Sequence, residues 1–153
     1  MTEAEVQTFL TERAKTLIVT SHGPDGYPHV APMWFAVHDG KIVFRSFTKS
    51  QKIVNLRRDP KITVLVEEGL AYDELRGVMI KGTARLVTDE AYCLDLYVEL
   101  ARTFPFVTGV QPGAAPDDEV RTTFAPFAAK NTAVVVEPDH VITWDHRKLA
   151  GEY

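Results

Sequence analysis

Short runs of β-branched and aromatic residues, separated by tight-turn signals, constrain the fold of this chain more than any other feature. Residues 17–21, 28–37 and 41–47 are three such runs. Residues 23–26 lie in the first gap and Asp39-Gly40 in the second, and both contain the Asp-Gly pair that favours a tight hairpin turn. The sequence therefore predicts three consecutive antiparallel strands.

The rest of the chain continues this pattern. Four further runs are predicted to be strands: 61–67, 75–87, 131–137 and 141–145. The second of them is long enough to bend at Gly82. Pro138-Asp139 is predicted to separate the last two. The fold class is therefore mainly β, with flanking helices.

Three segments have helical spacing instead, and they are residues 1–16, 51–58 and 88–103. Thr2 and Glu5 have the capping-box spacing, and Thr88 is predicted to cap the third helix. The apolar face of the first helix is predicted to hold Val6, Phe9, Leu10 and Ala14. The shared face of the second is predicted to hold Ile53, Leu56 and Arg57.

Residues 106–118 are rich in Gly, Pro and Ala and are predicted to form a long connection, with the acidic run 117–119 in a loop. Substrate choice is expected to depend on residues 104–127. The aromatic residues Phe104, Phe106 and Phe127 would make this segment either a lid over a ligand or a surface loop anchored by its rings.

Composition narrows the possible functions. The 153 residues fit one domain spanning 1–153, and the net charge of −4 disfavours nucleic acid and anionic membranes as partners. Cys93 is the only cysteine, so an intramolecular disulfide is impossible, and the thiol is predicted to be a buried hydrophobe. No apolar run near the start has the length of a signal sequence or a membrane span, so a cytoplasmic location is expected.

No hydrolytic or metal-binding motif is recognisable. The five histidines lack HxH and HExxH spacing, so no metal site is expected. Neither a Ser-His-Asp pattern nor a pair of carboxylates stands out, and catalytic residues therefore stay unassigned.

The segment 45–60 carries the clearest chemistry, because a strand there runs directly into a helix. Helix N–H groups, the hydroxyls of Thr48 and Ser50, and the ammonium groups of Lys49 and Lys52 are predicted to converge on one phosphate. The alternative is that a hydroxyl only caps the helix while both lysines are solvated.

Four segments besides the opening helix, 25–35, 50–60, 80–87 and 144–148, resemble the pyridoxamine 5′-phosphate oxidase-like family of split-barrel flavoproteins. The sequence is most similar to its actinobacterial branch of deazaflavin-dependent reductases. The resemblance implies a six-stranded antiparallel split barrel of the FMN-binding type. It also implies a homodimer that holds its cofactors in clefts between the subunits.

The same resemblance assigns roles to residues. Lys52 takes the phosphate-binding role, helped by Thr48, Ser50, Arg45 and Lys49. The isoalloxazine or deazaflavin ring lies along Pro32, Met33 and Trp34. Trp34 is also compatible with a purely structural role as a core aromatic of the hairpin.

The resemblance implies hydride transfer between the bound ring and a small organic substrate, with the protein supplying position and electrostatics. A basic entrance, formed by Lys49, Lys52, Arg57 and Arg58, favours coenzyme F420 over FMN because it suits a polyanionic tail. Vitamin B6 oxidation is disfavoured, because the sequence lacks an Arg-Leu-x-Pro-type ending.

Other readings stay open. Arg76, Arg147 and Lys81 are candidates to border the cleft and stabilise charge on a substrate, or are solvated. The protein is alternatively a non-catalytic module that binds a flavin-type cofactor, or a β-barrel interaction domain with no cofactor.

Overall fold

The computed structural model describes residues 1–106 and 110–149, and these form four α-helices and seven strands. The helices are α1 (Glu3–Thr11), α2 (Gln51–Arg58), α3 (Glu90–Thr103) and α4 (Asp117–Ala128). The strands are β1 (Leu17–His22), β2 (Pro28–Met33), β3 (Ala36–His38), β4 (Lys41–Phe47), β5 (Lys61–Glu68), β6 (Arg76–Val87) and β7 (Asn131–Asp145). Short 3-10 turns span Tyr72–Glu74 and His146–Lys148.

The strands form one antiparallel sheet in the order β2-β1-β5-β6-β7-β4-β3. β2 and β3 lie at opposite edges although only Trp34 and Phe35 separate them in the chain. Three residue steps span at most about 11 Å, so the sheet must curl until its two edges approach each other. This curled sheet confirms the predicted mainly β, split-barrel fold.

The predicted strand at 28–37 is wrong in one respect, because it is two strands. β2 pairs with β1, whereas β3 pairs with β4. Between them Phe35 is buried in the barrel interior, and Trp34 packs against the outer layer of helices. With this break, and with residues 131–145 forming one strand, the sheet has seven strands, where the resemblance implied six.

Two apolar cores lie on the two faces of the sheet. The alternation along β4 shows the division, since Phe44 belongs to the barrel interior and Val43 to the layer beneath α3. The largest fully buried side chains of the interior include Phe9, Leu17, Ile42, Ile53 and Leu56. Cys93, Leu96, Tyr97 and Leu100 of α3 form much of the outer core.

The predicted helices are present, with differences at their ends and faces. Thr2 and Glu5 form the predicted capping box of α1, but Ala14 lies beyond its end and is exposed. In α2 Ile53 and Leu56 are buried together with the polar residue Asn55, whereas Arg57 is exposed. α3 is capped by Asp89 and not by Thr88, since the Asp89 side chain accepts a hydrogen bond from the Tyr92 N–H.

The segment 104–127 is not a continuous loop, because α4 begins at Asp117. The acidic residues 117–119, expected in a loop, form the first turn of α4, where they suit the positive end of the helix dipole. The sequence pattern did not predict this helix, because Pro126 lies within it and proline is unfavourable inside helices. The predicted connection also includes residues 107–109, which lie outside the described residues.

The two predicted closing strands are one strand, β7. Pro138 does not end it, because the β6–β7 register shifts between Lys81 and Gly82, and Asp139 is the extra residue of a bulge. A Cβ at residue 82 would lie 2.1 Å from the Glu137 carbonyl oxygen. Glycine is therefore required where the two backbones approach, and the register shift of the β6–β7 pair falls at Gly82, where a bend was predicted.

Local turn chemistry is also as predicted. Asp39 and Gly40 have φ values of 50° and 76°, as a hairpin turn with two left-handed residues requires. Gly26 has φ 84° in the preceding turn. Within residues 1–106 and 110–149, no helix is both long and apolar enough to cross a membrane.

Candidate functional site

A cleft of about 330 Å³ opens where the end of β2, the outer face of β4 and α3 meet. It brings together four of the residues that the sequence assigned to cofactor binding. Its lining consists of Thr16, Pro32, Met33, Trp34, Arg45 and Leu100. Thr16 and Leu100 were not predicted, because the resemblance assigns a role to neither residue.

Trp34 forms one wall of this cleft and is itself held by aromatic packing. Its ring stacks on Phe104 with centroids 4.8 Å apart and planes 13° apart, and Phe106 meets it edge-on at 5.1 Å. Phe104 and Phe106 therefore anchor the segment that follows α3, which agrees with the prediction of a segment anchored by its rings. Trp34 stays half-buried and fixed in orientation.

Arg45 lies between the cleft and this aromatic layer. Its Cζ atom lies 3.4 Å from the centroid of the Tyr97 ring and 5.7 Å from that of Phe106. Nη1 donates to Asn131 Oδ1 at 3.3 Å, and Nε is buried with no partner in the part of the chain that the structure describes. Burial lowers the pKa of Arg45 and raises that of the Tyr97 phenol, so the ring supplies no negative charge.

A second group of predicted residues meets on the other face of β4. The Ser46 and Ser50 hydroxyls are 3.0 Å apart, and Lys52 Nζ donates to Ser46 Oγ at 3.3 Å. No carboxylate of residues 1–106 or 110–149 pairs with Lys52, and burial lowers the pKa of this lysine. We call Ser46, Ser50 and Lys52 the lysine–hydroxyl cluster.

The remaining predicted residues lie around this cluster. The Thr48 hydroxyl is 2.9 Å from that of Thr132, which faces Ser46 across the β4–β7 pair. Lys49 is exposed. Sequence reasoning missed Ser46 and Thr132. The alternation along β4 could have identified Ser46, but Thr132 is brought close only by strand pairing.

The start of α2 lacks a side-chain cap. Ser50 is its N-cap residue but makes no side-chain capping hydrogen bond, because its hydroxyl meets Ser46 instead. The first turn contains no acidic residue. The first N–H groups of a helix have no partner inside the helix, and here no side-chain cap takes their place.

The cleft and the lysine–hydroxyl cluster are separate groups joined through β4. Arg45 and Ser46 are consecutive, so their side chains emerge on opposite faces of the strand. No hydrogen bond, ion pair or ring contact among the described residues joins the two groups. Arg45 therefore does not lie with the other predicted phosphate-binding residues.

The three cations proposed to border the cleft do not line it. Arg76 and Arg147 lie in a different groove, of about 620 Å³, between α1 and the end of β7. Both are paired there, Arg76 with Glu12 and Glu68 and Arg147 with Asp145. Lys81 is exposed on β6.

Cys93 and the histidines show no reactive arrangement in the described part of the chain. Cys93 is fully buried as predicted, its Sγ is 3.7 Å from the Asn131 carbonyl oxygen, and burial raises the pKa of its thiol. No cluster of three or more His, Cys, Asp or Glu side chains suited to a metal occurs in residues 1–106 and 110–149.

A curled antiparallel sheet flanked by helices places the protein in the split-barrel class. Comparison with known families identifies the chain further. The profile of the pyridoxamine 5′-phosphate oxidase family matches residues 2–143. The chain belongs to this family, whose members are flavin-binding oxidoreductases. Among proteins with curated functions, none matches the sequence.

Solved structures support the family and the fold. A conserved hypothetical protein from Mycobacterium tuberculosis is 36% identical, with a TM-score of 0.84 over 100% of this chain and 90% of that one. An F420 reductase is 24% identical, with a TM-score of 0.65 over 88% and 94% of the two chains. A putative pyridoxamine 5′-phosphate oxidase from Listeria innocua is 20% identical, with a TM-score of 0.65 over 95% and 99%. The latter two likenesses show the fold alone.

Proposed function

We propose that this protein is an oxidoreductase that uses coenzyme F420 to transfer a hydride to or from a small organic substrate. The lysine–hydroxyl cluster carries the proposal. Lys52 is partly desolvated, and it donates to the Ser46 hydroxyl, which lies 3.0 Å from that of Ser50. No carboxylate in the described ranges 1–106 and 110–149 neutralises it. A phosphate group would supply the missing negative charge and accept hydrogen bonds from these donors.

In this proposal Ser46, Ser50 and Lys52 hold the cofactor phosphate, with the N–H groups at the start of α2. Thr48 supports the cluster through Thr132, and Lys49 adds positive charge at the rim. Pro32, Met33 and Trp34 contact the ring of the cofactor, with Trp34 held by Phe104. The bound cofactor would supply the hydride chemistry, and the protein would orient the reactants and exclude water.

The preference for F420 over FMN rests on charge near α2. This helix carries Lys52, Arg57 and Arg58 and no acidic residue, and Lys49 precedes it. Such a local excess of cations in a chain with a net charge of −4 favours a ligand with an extended anionic tail. One structure of the same fold is an F420 reductase, which agrees with this choice.

The test is to titrate the purified protein with F420 and, separately, with FMN, following cofactor fluorescence, and to repeat both with Lys52→Glu. We expect micromolar F420 binding that weakens about tenfold or more in the variant, since reversal places a carboxylate beside the phosphate. Lys81→Glu makes the same charge change at an exposed site on β6 and should leave binding within about twofold.

The other outcomes separate the alternatives. Tighter binding of FMN than of F420 would place the protein in the FMN-dependent branch. Binding of neither cofactor to the wild-type protein would overturn the enzyme proposal. Tight binding without oxidation of reduced cofactor by any of a broad set of electron acceptors would indicate a non-catalytic binding module.

A further inference from the structure

Arg45 is a positive charge in the wall of the cleft, and it lacks a counter-charge in the described part of the chain. Its guanidinium is half-buried. Among residues 1–106 and 110–149, its Nε has no hydrogen-bond partner, and its one hydrogen bond, to Asn131, is long at 3.3 Å. No carboxylate in the described parts of the chain forms an ion pair with it. Removing a charge from water without a partner is unfavourable, so this arrangement requires a reason.

Packing on Tyr97 does not provide that reason. A ring face attracts a cation, but the attraction is weaker than the cost of withdrawing a guanidinium from water. An uncharged side chain of similar length would fill the space above the ring and avoid that cost. The two groups that act electrostatically on Arg45, Tyr97 and Cys93, both have pKa values raised by burial and are therefore neutral near pH 7.

The other residues of the cleft indicate which kind of anion would fit beside Arg45. Pro32, Met33 and Leu100 are apolar, and Trp34 offers an aromatic wall fixed by Phe104. Arg45 is the cation among the lining residues, and a planar guanidinium suits the bidentate geometry of a carboxylate. A cleft of about 330 Å³ limits the ligand to a small molecule.

We propose that Arg45 binds the carboxylate of a small, flat, unsaturated organic acid whose body lies in this cleft. That this acid is the substrate of hydride transfer rests on the function proposed above, but its binding does not. Arg45 would then be a substrate-binding residue, separate from the phosphate-binding residues on the opposite face of β4.

The test uses calorimetric titration of the cofactor-free protein with cinnamate and with its neutral amide, cinnamamide. We expect cinnamate to bind about tenfold or more tightly than cinnamamide. Arg45→Met, which keeps an unbranched side chain over Tyr97, should weaken cinnamate binding about tenfold or more and leave cinnamamide binding unchanged. Arg45→Lys should give an intermediate loss, because it keeps the charge but not the planar fork.

Two controls make the result specific. Arg121→Met removes an exposed arginine on α4 that pairs with Asp95, and it should leave cinnamate binding unchanged. F420 and FMN binding should stay within about twofold in both Arg45 variants. Thermal melts establish whether each variant is folded. If Arg45→Met does not fold, Arg45→Lys still tests the inference.

Three results would overturn the inference: equal affinity for acid and amide, no cinnamate binding at millimolar concentration, or a loss of cofactor binding in Arg45→Met as large as that in Lys52→Glu. The last result would assign Arg45 to the cofactor phosphate. If cinnamate binding depends on Arg45 but neither cofactor binds the wild-type protein, the anion site stands and the proposed function fails.

Discussion

Asn55 is the residue whose role in the fold is clearest from its contacts. It is fully buried on α2, its Oδ1 accepts from Gln51 Nε2 at 2.8 Å, and its Nδ2 donates to Ser21 Oγ at 3.2 Å. Ser21 belongs to β1 and is also buried. The pair therefore fixes α2, and with it Lys52, against the barrel.

Asn55→Leu should lower the free energy of unfolding by about 1–3 kcal/mol, because it leaves a buried hydroxyl without its partner. Urea denaturation of Asn55→Leu, Ser21→Ala and the double variant measures this. The double variant should cost less than the two single changes together, by about 1 kcal/mol. Val54→Ala, at an exposed position on the same helix, is the control, and strictly additive costs would contradict the predicted coupling.

At the scale of elements, an ion-pair network joins α1, β5, β6 and the end of β7. Arg76 of β6 pairs with Glu12 at 3.0 Å, with Glu68 at 3.0 Å and with Asp145 at 3.8 Å. Asp145 is nearly buried and also accepts hydrogen bonds from Arg147 at 2.7 and 2.8 Å. These ion pairs thus connect elements that lie far apart in the sequence.

This network predicts a pH-dependent stability. The hydrogen bonds from Arg147 lower the pKa of Asp145 from 3.8 to about 2. A carboxyl group whose pKa is lowered by folding stabilises the folded state above its ordinary pKa, and this stabilisation is lost as the pH falls from about 4 to about 2. Asp145→Asn should therefore cost about 2 kcal/mol at pH 7 and progressively less below pH 4.

Urea denaturation of wild type and Asp145→Asn at several pH values between 7 and 3 tests this. Asp73→Asn, at an exposed carboxylate on the turn Tyr72–Glu74, controls for the loss of one negative charge. A difference between wild type and Asp145→Asn that stays constant, or widens, as the pH falls would show that the Asp145 charge is not the cause.

At the scale of the whole molecule, we propose the homodimer that the family resemblance implies. Several apolar side chains on strands are exposed in the single chain, with Val30 58%, Phe47 54%, Val141 49% and Ile142 42% accessible. Apolar side chains that are exposed in a single chain often mark a contact with another subunit. Light scattering after size exclusion should give about 34 kDa, twice the 17.1 kDa of one chain.

A dilution series, with and without F420, completes this measurement. A mass near 17.1 kDa at all concentrations up to tens of micromolar would contradict the dimer. A dimer that forms only with cofactor would place the cofactor at the contact between subunits.

The sequence alone determined the features whose interacting atoms lie within a few residues of one another. Asp39-Gly40 specifies its hairpin because glycine and aspartate tolerate positive φ, and Thr2 with Glu5 forms a capping box within one turn. Ser50 and Lys52 likewise lie near each other because both belong to the same strand-to-helix segment.

Only the tertiary structure decided features that depend on distant partners. Residues 34 and 35 break a strand because β2 and β3 pair at opposite edges of the sheet, and β7 continues past Pro138 because Gly82 accepts the close approach of Glu137. Thr48 meets Thr132 across 84 residues of sequence. The burial of Arg45 on Tyr97 likewise requires α3 to pack over β4. Neighbouring residues carry no information about such contacts, because the energy arises from groups that folding alone brings together.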